Sequence, residues 1–92
     1  MAKGYWVVSA DVSDTEGWKS YIAENAKAFR KYGVRFFARG GKSEVVEGHG
    51  RSRVVVMEFK DYTTALDCYR SPVYSKAMAL RKDKGVADII VT

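Results

Sequence analysis

The stretch Arg53-Val54-Val55-Val56-Met57-Glu58-Phe59 is β-branched at its centre and apolar on both alternating faces until Glu58. A strand with that pattern is covered on both sides. Asp61 follows as a helix cap, and Ala65, Leu66, Cys68 and Tyr69 lie along the helix it opens. Ser71-Pro72 restarts that helix as N-cap plus first-turn proline, where the missing amide hydrogen costs nothing. Val73, Ala77, Met78 and Leu80 carry the apolar stripe to Arg81, Gly85 is expected to end the helix, and residues 86–91 read as a last strand.

Working toward the N-terminus, Tyr5-Trp6-Val7-Val8-Ser9-Ala10-Asp11-Val12 repeats the two-sided strand pattern. Ser13 and Glu16 have the spacing of a capping box. The helix they open carries Trp18, Tyr21, Ile22, Ala26, Phe29 and Tyr32 on one face and Lys19, Glu24, Lys27, Arg30 and Lys31 on the other. Gly33 fits the left-handed position that ends it. Residues 34–39 form a second strand, expected to bulge at Gly40-Gly41 and resume over 43–47. Gly48-His49-Gly50 then reads as a tight hairpin reversal.

The order is strand, helix, strand, strand, helix, strand, which is the ferredoxin-like α+β arrangement: one four-stranded antiparallel sheet with helices on one face. Such a sheet should have a polar outer face. Here the first and third strands are apolar on both faces, so a second copy of the chain is the expected cover. The expectation is a homodimer with two sheets packed face to face, a dimeric α+β barrel.

Ninety-two residues suffice for one domain. The 47% hydrophobic and 29% charged content excludes a disordered or collagenous chain. One cysteine excludes an internal disulfide, and one cysteine with one histidine excludes a metal site of thiolates and imidazoles within the chain. No cofactor is expected. The first apolar run is too short to cross a membrane, and a lone Lys3 without a cleavage pattern makes a poor signal peptide, so the chain reads as cytoplasmic with no membrane partner. The net charge of +5 is spread among interleaved acids, the pattern of a solvated surface.

The opening Ala2-Lys3-Gly4-Tyr5-Trp6, Arg39-Gly40-Gly41, Glu47-Gly48, Glu58-Phe59 and Tyr69-Arg70-Ser71-Pro72-Val73-Tyr74 resemble the domain-of-unknown-function family 1330 of the dimeric α+β barrel superfamily. The resemblance covers nearly the whole chain. It implies the same fold as the strand and helix pattern. Superfamily relatives include cofactor-free monooxygenases, muconolactone isomerases and haem-handling enzymes, so the resemblance leaves the activity open.

His49 could serve as a base, because imidazole changes charge near neutral pH, but between two glycines it reads as an exposed turn residue. Cys68, on the apolar side of its helix, reads as an inert buried thiol. Glu58 is the stronger candidate, since a carboxylate on a central strand needs a partner. Arg39, Arg53 and Asp88 are the available charges. Counting residues about His49, a bulge at Gly40-Gly41 brings Arg39 opposite Glu58 on one face, where opposite charges about 4 Å apart gain a few kcal/mol at an effective dielectric of about 20. Tyr69 and Tyr74 flank the helix break, where a cleft would open, although buried tyrosines commonly just pack. The expected ligand-binding set is therefore Arg39, Arg53, Glu58, Tyr69 and Tyr74, around a small apolar or aromatic molecule between sheet and helices. Whether the chain is a cofactor-independent enzyme or a structural barrel stays open. Nucleic-acid binding, the rival for this topology, is disfavoured because Val54, Val55 and Val56 stand where RNA-recognition sheets expose stacking aromatics.

Overall fold

The computed structural model describes residues 2–92. Its elements are β1 (Gly4–Val12), α1 (Thr15–Lys31), β2 (Arg35–Arg39), β3 (Arg53–Phe59), α2 (Tyr62–Arg70), α3 (Pro72–Leu80) and β4 (Gly85–Val91). The strands form one antiparallel sheet in the order β2-β3-β1-β4. Strand alternation sends Trp6, Val8 and Ala10 of β1, Val55, Met57 and Phe59 of β3, and Ala87, Ile89 and Val91 of β4 toward the helices. Trp6 is the hub. Its ring meets Phe29, Tyr69 and Tyr74 edge-on at 5.4, 5.7 and 5.1 Å, and its indole N–H donates to the Ala65 carbonyl at 2.9 Å. The sole indole donor is thereby satisfied in a fully buried ring.

The helix break follows the expected chemistry. Ser71 Oγ accepts from the Tyr74 amide at 3.1 Å and donates to the Cys68 carbonyl at 2.7 Å, so one hydroxyl caps α3 and closes α2. Pro72 is the first residue of α3, Asp61 caps α2 by accepting from the Thr64 amide, and Gly33 has φ 67° just past the end of α1.

Five local expectations are corrected. The cap of α1 is Asp14, which accepts from the Gly17 amide at 3.0 Å, and not Ser13. The Lys84 carbonyl takes the amides of both Ser13 and Asp14, which fixes the chain's entry one residue later, and Glu16 pairs instead with Lys19. Gly85 begins β4 and does not end a helix: α3 stops at Leu80, Asp83 takes the left-handed conformation, and a side chain at Gly85 would collide with the Asp11 carbonyl. Residues 43–47 form no strand. Since β3 begins only at Arg53, the segment has no neighbour to pair with, and all five residues are exposed. Residues 48–50 accordingly belong to an open loop spanning 40–52, with Gly48 at positive φ and Ser43 Oγ bonded to the Ser52 carbonyl.

The fifth correction concerns the bulge, which decides which side chains share a face. Phe36 opposes Met57 but Ala38 opposes Val56, so the extra residue is Phe37 and not a glycine of the pair 40–41. The two adjacent phenylalanines account for it. Phe36 packs inward on Phe29 at 5.9 Å, while Phe37 lies outward near Tyr5 and under Arg35. Arg39 then opposes Val55 on the helix side, and Glu58 opposes Arg35 and Tyr5 on the outer side. The expected same-face pair of Arg39 and Glu58 is thus overturned by the register.

Candidate functional site

Helix α1 sets Trp18, Tyr21, Ile22, Asn25 and Phe29 on one face at steps of three and four residues. That face does not close fully on the sheet. Between it and β1, β2 and β3 runs a cleft of about 550 Å³, counted out to its open mouth, with Trp6, Val8 and Ala10 from β1 and Val55 and Met57 from β3 as its floor. The space is narrow. Its shape is a slot between aromatic side chains.

Three polar side chains enter it. Asn25 is only 8% exposed, lines the cleft, and is absent from the side-chain hydrogen bonds of the described residues. Arg39 and Arg53 stand at the mouth. They are the last residue of β2 and the first of β3, on the helix side of the sheet, so the loop 40–52 springs from both. The Arg39 guanidinium lies 4.0 Å from the centroid of the Phe36 ring, a cation–π stack. The Arg53 guanidinium lies against the Gly40 backbone, whose φ of 76° and missing Cβ permit that approach.

The remaining expected site residues lie elsewhere. Glu58 is half-buried on the outer face, where the Tyr5 hydroxyl donates a long 3.4 Å hydrogen bond to it. Tyr69 packs edge-on to Trp6, its hydroxyl 3.7 Å from the Met78 sulfur. Tyr74 is fully buried and pairs its hydroxyl with that of Tyr21 at 2.7 Å. Burial, followed by the Tyr21 hydroxyl, pushes the Tyr74 phenol far above its ordinary range, so it stays neutral and anchors α1 to α3. Burial likewise pushes the Cys68 thiol up to about 12, which leaves no thiolate at neutral pH. His49 is exposed on the loop. Asp88 joins Asp11 in holding Arg51, at 2.8 and 3.1 Å, on the outer side.

Asn25 was the residue that the sequence pattern concealed. Its signal is a polar side chain in the middle of the stripe Trp18, Tyr21, Ile22, Phe29, at a position the helical spacing assigns to the core. The lining as a whole holds no carboxylate, histidine or cysteine. It can bind and orient through ring contacts, one amide and two guanidinium groups.

The fold is similar to that of a protein of unknown function from Rhodopseudomonas palustris, at 16% identity and TM-score 0.76 over 98% of this chain and 80% of that one. It is also similar to a cofactor-independent oxygenase from Streptomyces nogalater, at 12% identity and TM-score 0.64 over 100% and 92% of the two chains. A third similar structure, a dimeric protein of unknown function with a ferredoxin-like fold from Bacteroides fragilis, has 11% identity and TM-score 0.57 over 98% and 94%. At these identities the likeness is one of fold. Among curated proteins none matches the chain. The family model for a domain of unknown function, DUF1330, matches residues 3–92, and the chain belongs to that family.

Proposed function

We propose that this member of the DUF1330 family binds a small, largely aromatic molecule in the slot between α1 and the sheet, and does so as a homodimer. The observation that carries the reading is Asn25. Its side chain lines the slot, is 8% exposed and takes no hydrogen bond from the described residues, so its amide group faces the slot with both donor and acceptor free for a ligand. The aromatic walls offer a flat molecule ring contacts on both sides of a narrow, open-mouthed slot. With no acid–base side chain other than tyrosine in the lining, the role supported is binding and orientation.

The homodimer rests on surface accounting. The single chain exposes 6,066 Å², whereas a folded monomer of its mass is expected to expose roughly 5,300 Å². Part of the excess lies on the outer sheet face, where Ile90 is 61% and Val86 52% exposed on the same side as Val7, Val54 and Val56. A second copy laid on that face buries it, and the Bacteroides fragilis relative is described as dimeric. The sheet face opposite the slot would then be the interface, which leaves the slot free in each subunit.

Native mass spectrometry of the purified chain tests the binding. A co-purified small molecule is expected, and it should be lost when Val55→Trp fills the floor of the slot. A folded dimer that neither carries a ligand nor responds to any planar aromatic compound in a thermal-shift panel would favour the structural-barrel reading instead.

A further inference from the structure

The two arginines at the mouth restrict what kind of molecule the slot accepts. Among the described residues the ion pairs join Arg51 to Asp11 and Asp88, and Lys19, Lys27 and Lys84 to Glu16, Glu24 and Asp14. Arg39 and Arg53 take part in none of them. The register rules out the one carboxylate on the adjoining strand, since Glu58 projects from the opposite face. A guanidinium stays charged at every physiological pH, and covering it with an apolar ligand removes its water without replacement. A ligand that occupies this slot therefore has to bring the counter-charge.

Both guanidinium groups are also held in place. Stacking on Phe36 engages the flat face of Arg39 and leaves its N–H edge for a planar acceptor. Contact with the Gly40 backbone braces Arg53. Arg39 opposes Val55, and Arg53 lies two residues along β3 from Val55, so the two are diagonal neighbours on one face. Two guanidinium forks at one mouth supply the planar N–H edges that match the two oxygens of a carboxylate. Deeper in the slot, Asn25 offers one more donor and acceptor among rings.

We propose that the ligand class is the aromatic carboxylate: a planar ring system held between α1 and the sheet, its carboxylate at Arg39 and Arg53, and a second polar substituent at Asn25. The proposal rests on the reading of the slot as a ligand site, and the test separates the two. The full chain is titrated with 2-naphthoate and with 2-naphthamide, which match in shape and differ in charge, following the fluorescence of Trp6 and Trp18 in the slot wall. Naphthoate is expected to bind about tenfold more tightly or better, the scale of charge-assisted hydrogen bonds at a partly open site. Raised salt should narrow the gap. Arg39→Gln and Arg53→Gln should each bring naphthoate toward the affinity of naphthamide, and Arg53→Lys should recover only part of the preference because it lacks the planar fork. Equal affinities in the unsubstituted chain, or a preference that survives Arg39→Gln with Arg53→Gln in one folded chain, would overturn the carboxylate and leave the slot standing as a site. Failure of both probes to bind at millimolar concentration would overturn the slot reading with it.

Discussion

Replacing Ile90 by Glu puts a charge on the outer face of β4 without touching the slot. In the single chain Ile90 is 61% exposed, so a surface substitution there should change the stability of the isolated subunit by no more than about 0.5 kcal/mol. In a two-sheet dimer the same side chain is covered. Burying an isoleucine fully is worth about 1.5–3 kcal/mol, and the 61% still exposed accounts for about 1–2 kcal/mol of it. Two-fold symmetry makes every interface residue count twice. The loss is then about 2–4 kcal/mol per dimer, or roughly 30- to 700-fold in the dissociation constant, before the cost of desolvating the carboxylate is added. Sedimentation velocity at micromolar concentration, alongside far-ultraviolet circular dichroism, reads both quantities. The expected result is a folded monomer for Ile90→Glu and a dimer for the unsubstituted chain. A variant that sediments like the unsubstituted chain would refute the interface, as would an unsubstituted chain that is itself monomeric.

Asn25→Leu should leave the ligand-free protein at least as stable, read as an equal or higher midpoint in urea, because the amide it removes has no partner within the fold and the replacement is apolar and of similar size. The same variant should lose ligand orientation, and a lower midpoint would mean that the amide has a partner inside the fold. Ser71→Ala leaves the Tyr74 amide and Cys68 carbonyl without the hydroxyl they share, and should cost about 1–2 kcal/mol, several degrees in melting temperature. On the acid side, the Thr64 side chain and amide hold the Asp61 carboxyl below its ordinary value of 3.8. A lowered folded-state pKa gives stability that is present above the unfolded value and lost as pH falls through the folded one, so stability should decline below about pH 4. Asp61→Asn keeps a capping oxygen and should flatten that decline, measured as midpoint against pH. Thiol-specific labelling should find Cys68 inert at neutral pH in the native state and reactive only on unfolding.

The fold was legible because each of its determinants is local or periodic. The two-sided strands, the stripe on α1, the Asp61 cap and the Ser71-Pro72 restart all act within a few residues of the groups that signal them. The site was only half legible, because faces are set by register, and register depends on partners distant in sequence. Arg39 and Arg53 were found as charges beside apolar strands, but the pairing of Arg39 with Glu58 depended on a hairpin centred on His49. The loop 40–52 has no such turn, and Arg39 meets Val55, three residues before Glu58. Tyr69 and Tyr74 drew attention for lying at a helix break. The break is closed by Ser71 and filled by Trp6, so the open space lies along α1 instead. Asn25 escaped notice because helical spacing shows that a position faces inward without showing what is there to meet it.

The bulge at Phe37 makes β2 a strand in which length, rather than composition, assigns side chains to faces. Removing Phe37 would regularise the ladder and still leave Arg39 opposite Val55, whereas inserting a residue between Phe37 and Arg39 would carry that arginine to the outer face of the sheet. An insertion after the bulge would therefore act as a discrete switch on which face carries the arginine, whereas a deletion that removes the bulge would not. Among family members of differing length, the parity of the ladder between the bulge and the arginine, more than the identity of either, should decide whether an arginine here faces the slot.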